Sequence, residues 1–147
     1  MFYGEYEHTL DKKGRLIIPS KFREIFNDRK FYITKGLDRC LFLFTEEEWQ
    51  SQEDKFKGMS FTKPDARRFN RMFFGGAFEA VCDKQGRVVM PQYLKEHSQI
   101  KNTVVLVGVS NRIEIWAKEI WDDYKEKSQA IFEETAENLI SLDPSSI

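Results

Sequence analysis

The strongest constraint on this chain is that it contains one module twice. Glu7-His-Thr-Leu-Asp-Lys-Lys-Gly-Arg-Leu-Ile-Ile-Pro19 returns as Glu79-Ala-Val-Cys-Asp-Lys-Gln-Gly-Arg-Val-Val-Met-Pro91, 72 positions on. The same offset carries Gly4 onto Gly76, Glu24 onto Glu96, Gly36 onto Gly108, Glu47 onto Glu119 and Trp49 onto Trp121, with no gap. Apolar positions stay apolar between these identities: Phe22 meets Leu94, Ile33 meets Val105, Leu41 meets Ile113, and Phe44 meets Trp116. So many ungapped matches mean duplication, the first thing to establish in an unfamiliar sequence. At 147 residues the chain suits one compact domain, or two half-domains sharing a core.

Each copy reads as strand, tight turn, strand, short helix, strand, strand, helix. Asp-Lys-x-Gly-Arg is turn chemistry: the aspartate can bond the following backbone, and glycine supplies positive φ. The runs after it, Arg15-Leu-Ile-Ile and Arg87-Val-Val-Met, are rich in β-formers. Pro19 and Pro91 end those strands and open short helices, expected over 19–26 and 91–97. The second strand pairs are expected to turn through Gly36-Leu-Asp-Arg and Gly108-Val-Ser-Asn. Thr45-Glu-Glu-Glu48 is a capping-box pattern, so a helix starts there. Its counterpart starts at Ala117 and is expected to run on toward Ile140. Between the copies, Pro64 to Met72 reads as a helix carrying Arg67, Arg68 and Arg71, with Phe69, Met72 and Phe73 on another face. The expected organisation is a first module over 1–57, a helical connector over 58–75, a second module over 76–124, and a C-terminal helix with an acidic tail over 125–147. The class is α+β.

Composition sets the outer limits. A chain 41% hydrophobic with 13 Phe, 5 Tyr and 3 Trp is too apolar to be disordered. Cys40 and Cys82 do not make a disulfide framework, nor a metal site with His8 and His97. The N-terminus lacks a signal-peptide pattern, and no apolar run is long enough to span a bilayer. A cytoplasmic protein without cofactor or membrane partner is expected. The net charge is only −1, but it is unevenly spread. Lys12, Lys13, Arg15, Lys21, Arg23, Arg29 and Lys30 face only Asp11, Glu24 and Asp28 in one segment. From Glu119 onward acids dominate, including Glu133, Glu134, Glu137 and Asp143.

The repeated cations point to nucleic acid. Each turn presents an arginine, Arg15 or Arg87, beside Lys12 and Lys13 or beside Lys84. A two-stranded β-ribbon fits the major groove of B-DNA, where arginine bonds guanine O6 and N7 bidentately. The lysines suit phosphates, which position a protein without reading sequence. Asp11 and Asp83, with Gly14 and Gly86, would shape the turns and hold each guanidinium in place. The alternative is that Asp-x-x-x-Arg is only a surface ion pair worth about 0–1 kcal/mol. Repetition favours the functional reading, because lysine and arginine recur where a turn needs only aspartate and glycine.

Taken together, these motifs resemble the MraZ family of bacterial transcriptional regulators, relatives of the AbrB-type swapped-hairpin proteins. The resemblance rests on Leu10-Asp-Lys-Lys-Gly-Arg-Leu-Ile-Ile-Pro19, Phe73-Phe-Gly-Gly-Ala77, Asp83-Lys-Gln-Gly-Arg-Val-Val-Met-Pro91 and Val107-Gly-Val-Ser-Asn-Arg-Ile-Glu-Ile-Trp116. It implies two β-hairpin modules forming a pseudo-dimeric split β-barrel with surrounding helices, and assembly into a ring-like homo-oligomer. It implies nucleoid association and binding to short direct repeats in double-stranded DNA upstream of the division and cell-wall gene cluster. The family's DNA-contacting motif falls on Asp11 and Arg15 and on Asp83 and Arg87. Gln85 stands where the first copy has Lys13, so the second turn should grip phosphate less.

Other residues read as structural. Trp49 and Trp121 should anchor helix to sheet. Phe69, Phe73 and Phe74 suit a core or a subunit contact. Cys82 suits a small buried hydrophobe, while Cys40, after Arg39 in a turn, is expected nearer the surface. Two rival readings stay open: a carboxylate enzyme using Asp11 and Asp83, which lacks a nucleophile–base pair or phosphate loop, and a ring-forming protein whose main partner is another protein. RNA is disfavoured, since the turns carry no aromatic residues for stacking.

Overall fold

The computed structural model describes residues 1–142, and the side chains up to 140. The tail from Asp143 lies outside the described residues. The first copy contributes β1 (Phe2–Thr9), β2 (Arg15–Ile17), α1 (Ser20–Phe26), β3 (Phe31–Lys35), β4 (Leu41–Thr45) and α2 (Glu46–Lys57). α3 (Pro64–Phe73) follows. The second copy contributes β5 (Phe78–Ala80), β6 (Arg87–Val89), α4 (Gln92–Ser98), β7 (Thr103–Ser110), β8 (Ile113–Ala117) and α5 (Lys118–Ala130), and α6 (Phe132–Leu142) follows. The element order is the one expected, and the class is α+β. Pro19 and Pro91 stand just outside α1 and α4 as their caps.

The pairing corrects the hairpin reading. The strands flanking each Asp–Arg turn do not form a ladder with each other. They go to the other copy: β1 pairs with β7, and β2 pairs with β6. The reason is visible at the turn itself. Asp11 N donates to Arg15 O at 3.0 Å, but one residue earlier Leu10 N already donates to Asn102 O at 2.8 Å. The result is one antiparallel six-stranded sheet, β1-β7-β8-β4-β3-β5, and a separate two-stranded ribbon, β2-β6. The six-stranded sheet ends in β1 and β5 and does not close into a barrel.

A pseudo-two-fold axis follows from the register. In the ribbon, Leu16 lies opposite Val88, its own repeat partner, while Arg15 faces Val89 and Ile17 faces Arg87. In the sheet, Phe42 lies opposite Glu114, again its repeat partner. Side chains alternate along each strand. Leu41 and Leu43 therefore point to one face and Phe42 and Phe44 to the other. The first face meets Leu16, Ile18, Phe22, Val88, Met90 and Leu94, so ribbon, α1 and α4 form one core with the sheet. On the other face Phe44, Trp49 and Phe73 make a second cluster under α2 and α3. Trp49 stacks on Tyr32 at 5.0 Å between ring centres and anchors α2 as expected. Trp121 meets Trp116 at 5.2 Å and donates from Nε1 to Glu5.

Two boundaries and one burial differ from the sequence reading. The second β-turn closes between Val109 and Arg112, not from Gly108, because β7 keeps pairing with β1 as far as Ser110. The helix after Ala117 is two helices, breaking at Ile131 (φ −122°, ψ 20°). Cys40 is buried, not exposed: Asp38 and Arg39 take left-handed backbone (φ 61° and 69°) and turn it inward. There its Sγ donates to Leu37 O at 3.1 Å, and burial raises the thiol's pKa well above its ordinary value. Cys82 packs half-buried against the main core. α2 begins as predicted, with Thr45 Oγ1 accepting from Glu48 N at 3.2 Å.

Candidate nucleic-acid interface

The two turns have the same construction. Asp11 accepts the backbone N–H groups of Lys13 and Arg15, each at 2.9 Å, and Arg15 Nε at 2.6 Å. Asp83 accepts from Gln85 N and Arg87 N, each at 2.9 Å, and Arg87 Nε at 2.8 Å. The backbone N–H of the arginine, more than its side chain, holds each carboxyl below the usual aspartate range. Asp11 and Asp83 thus each bond both the turn backbone and a guanidinium. Because Nε is taken, Arg15 keeps its two terminal nitrogens for an outside acceptor. Arg87 differs, since its Nη2 also donates to Gln85 Oε1 at 2.8 Å.

Protonation sets a clear limit. These carboxyls titrate below their unfolded values, so the clamp is complete above the ordinary aspartate pKa of about 3.9. It is lost as the pH falls through the lowered folded values. The Arg15 and Arg87 Nε–H resonances should stay sharp and dispersed from neutral pH down to about pH 4, and move to solvent-exposed positions only below it. A change between pH 6 and 8 would contradict this account of the turn.

Strand exchange places both arginines on one ribbon. Arg15, Ile17, Arg87 and Val89 share its outer face, because residues two apart and residues directly opposite point the same way. Leu16 and Val88 point inward and are buried, whereas Ile17 and Val89 are exposed. Arg15 and Arg87 are diagonal neighbours, a spacing of about 7–8 Å. The ribbon's antiparallel course puts Lys12 and Lys13 at one end and Lys84 at the other, all exposed.

Two cations at this site were not singled out from the sequence. Ile18 N donates to Gly86 O at 2.9 Å and Met90 N to Gly14 O at 3.0 Å, so each turn glycine caps the other copy's strand. The helices that follow bring Arg23 against Gly86 and Lys95 against Gly14. Arg23 and Lys95 are repeat partners, 72 positions apart, and that recurrence was the available signal. Both glycines need left-handed backbone, φ +71° at Gly14 and +78° at Gly86. A Cβ on Gly86 would stand 2.5 Å from the Arg23 guanidinium, whose Nε donates to Ile18 O at 2.8 Å. On Gly14 it would only touch flexible Lys95 Nζ at 3.4 Å. Gly14→Ala should therefore cost about 1 kcal/mol, and Gly86→Ala about 2–3 kcal/mol, by chemical denaturation. Equal losses would contradict the packing of Arg23 on the second turn.

Arg67 and Arg68 are engaged locally, with Phe61 O and Asp65, while Arg71 is exposed on α3. Among the described residues no group of three His, Cys, Asp or Glu side chains is placed to hold a metal, and no helix is long and apolar enough to cross a membrane.

A family model described as MraZ protein, antitoxin-like, matches the chain twice in succession, over residues 1–72 and 73–143. The chain belongs to the MraZ family. The two matches fall on the duplicated halves, so the repeat seen in the sequence is the family's own domain used twice. The family is regulator-like, not an enzyme family. Asp11 and Asp83, the carboxylates of the rival enzyme reading, bond backbone N–H groups and arginine.

Proposed function

We propose that this protein is a sequence-specific DNA-binding transcriptional regulator that reads the major groove with the outer face of the β2–β6 ribbon. The observation that carries this reading is the exchange of strands, which puts Arg15 and Arg87 side by side on one exposed ribbon. A ribbon of this kind fits a major groove, and each arginine can meet one guanine edge while Ile17 and Val89 meet thymine methyl groups. Lys12, Lys13, Lys84, Lys95 and Arg23 flank the ribbon and suit phosphate. Arg15 is the principal reader, because Arg87 must first release Gln85.

A single ribbon with so few cations binds weakly, and the net charge of −1 gives no general attraction. Several copies assembled over direct repeats convert later contacts into intramolecular ones, and avidity gains about 10²–10⁴-fold. The targets implied by the family are repeats upstream of the division and cell-wall genes. Salt tests the reading. Five flanking cations on phosphate predict that log affinity falls with log salt at a slope of about −4.5 per bound subunit. A flat salt dependence would place the partner among proteins.

A further inference from the structure

The ribbon leaves two other surfaces of the molecule unexplained. The first is a groove of about 460 Å³ between α2, α3 and the outer face of the sheet, lined by Phe42, Phe56, Phe69, Met72 and Phe73. Met72 is 53% exposed there, and Leu37 beside it is 66% exposed. The cations at its edge are Lys35 and Arg112, with the imidazole of His97 partly buried beside them; no carboxylate lines it. Among the described residues Lys35 Nζ has only the thioether of Met72 as a hydrogen-bond partner, at 3.8 Å, whereas Arg112 is already paired with Glu114. His97 Nε2 is buried without a partner among the described residues. Large exposed apolar surfaces with a polar rim mark interaction sites.

The second surface is α6. Phe132, Ala136, Leu139 and Ile140 recur at helical spacing and form one stripe, with Phe132, Leu139 and Ile140 exposed to solvent and Ala136 half-buried. Glu133, Glu134 and Glu137 lie beside it, and the helix has no basic residue in its last turn. The repeat does not explain this stripe. Under the 72-residue offset, the Phe69 and Phe73 that dock α3 become Ser141 and Ser145, and the stripe residues correspond to Ser60, Pro64, Arg67 and Arg68. α6 therefore cannot pack on its own half as α3 does. No residue of α5 or α6 lines the groove.

We infer that α6 of one chain lies in the α2–α3 groove of a second copy, apolar stripe inward and carboxylates toward Lys35. This is helix-in-groove recognition, with anchors at i, i+4, i+7 and i+8. The contact is head-to-tail, because groove and helix are different surfaces, and such contacts propagate into rings or filaments. It rests on the reading above in naming the contact by which copies assemble, yet its test contains no DNA and is decided separately.

Met72→Asp spoils the groove and leaves the helix intact; Leu139→Asp does the reverse. Both positions are exposed. Light scattering on the full chain should give an assembly for wild type and a 17.4 kDa monomer for each variant alone. An equimolar mixture of the two should give a one-to-one heterodimer, joining the one intact groove to the one intact helix. Should Met72→Asp unfold, Lys35→Glu replaces it, with association weakened at least about tenfold by the reversed charge. A monomeric wild type, or either variant assembling like wild type, overturns the proposal. A mixture that stays monomeric also overturns it, and assigns α6 to a symmetric contact with another α6.

Discussion

Arg15→Ala is expected to abolish most of the affinity for a repeat-bearing duplex while leaving the fold intact. The guanidinium is on the outer face of the ribbon, and its only partner among the described residues is Asp11, which keeps its two backbone N–H donors when the side chain is removed. Stability should therefore hardly change. Loss of one bidentate arginine–guanine contact costs about 1–3 kcal/mol, or roughly 5- to 150-fold per subunit, and the loss multiplies across an assembly. Arg87→Ala should cost less, because Gln85 competes for that guanidinium. Gln85→Lys, which restores the first copy's residue, should tighten binding. Binding isotherms on one duplex rank the four proteins. Equal affinity in wild type and in the double arginine variant would return both turns to a purely structural role.

The second large effect concerns the halves. Residues 1–72, expressed alone, should not fold as a monomer. β1 has its partner in β7 and β2 in β6, so the fragment retains only the β3–β4 pair of its ladders. Leu16, Ile18, Ile33 and Leu41, fully buried in the intact chain, would lose the facing side chains of the second copy. Truncating a single such leucine to alanine costs about 2–5 kcal/mol, and removing the whole opposing half exceeds the stability of any small domain. Mixing 1–72 with 73–147 should restore near-ultraviolet circular dichroism and a complex of the intact mass. A monomeric 1–72 fragment that unfolds cooperatively would contradict strand exchange.

Much of this was legible in the residues. Duplication announced the pseudo-symmetry, and Asp-x-x-Gly-Arg announced a turn in which aspartate holds arginine. Strand exchange was not legible from the motifs alone, because a turn specifies its own geometry and not the destination of the strands leaving it. That choice is made by long-range pairing, Leu10 with Asn102 and Leu16 with Val88. Arg23 and Lys95 were missed for the same reason: only exchange carries each helix across to the other copy's turn. The break at Ile131 has no glycine or proline to mark it, so helical periodicity ran through it. Cys40 follows two charged residues, and only their left-handed backbone turns it inward.

The most direct test of the ribbon reading is to titrate the protein with a repeat-bearing duplex and follow the arginine Nε–H resonances. Arg15 and Arg87 should shift or broaden first and saturate together, with Arg67, Arg68 and Arg71 unmoved. Movement confined to the arginines of α3, with the ribbon pair silent, would contradict the account and move the DNA to the other face of the molecule.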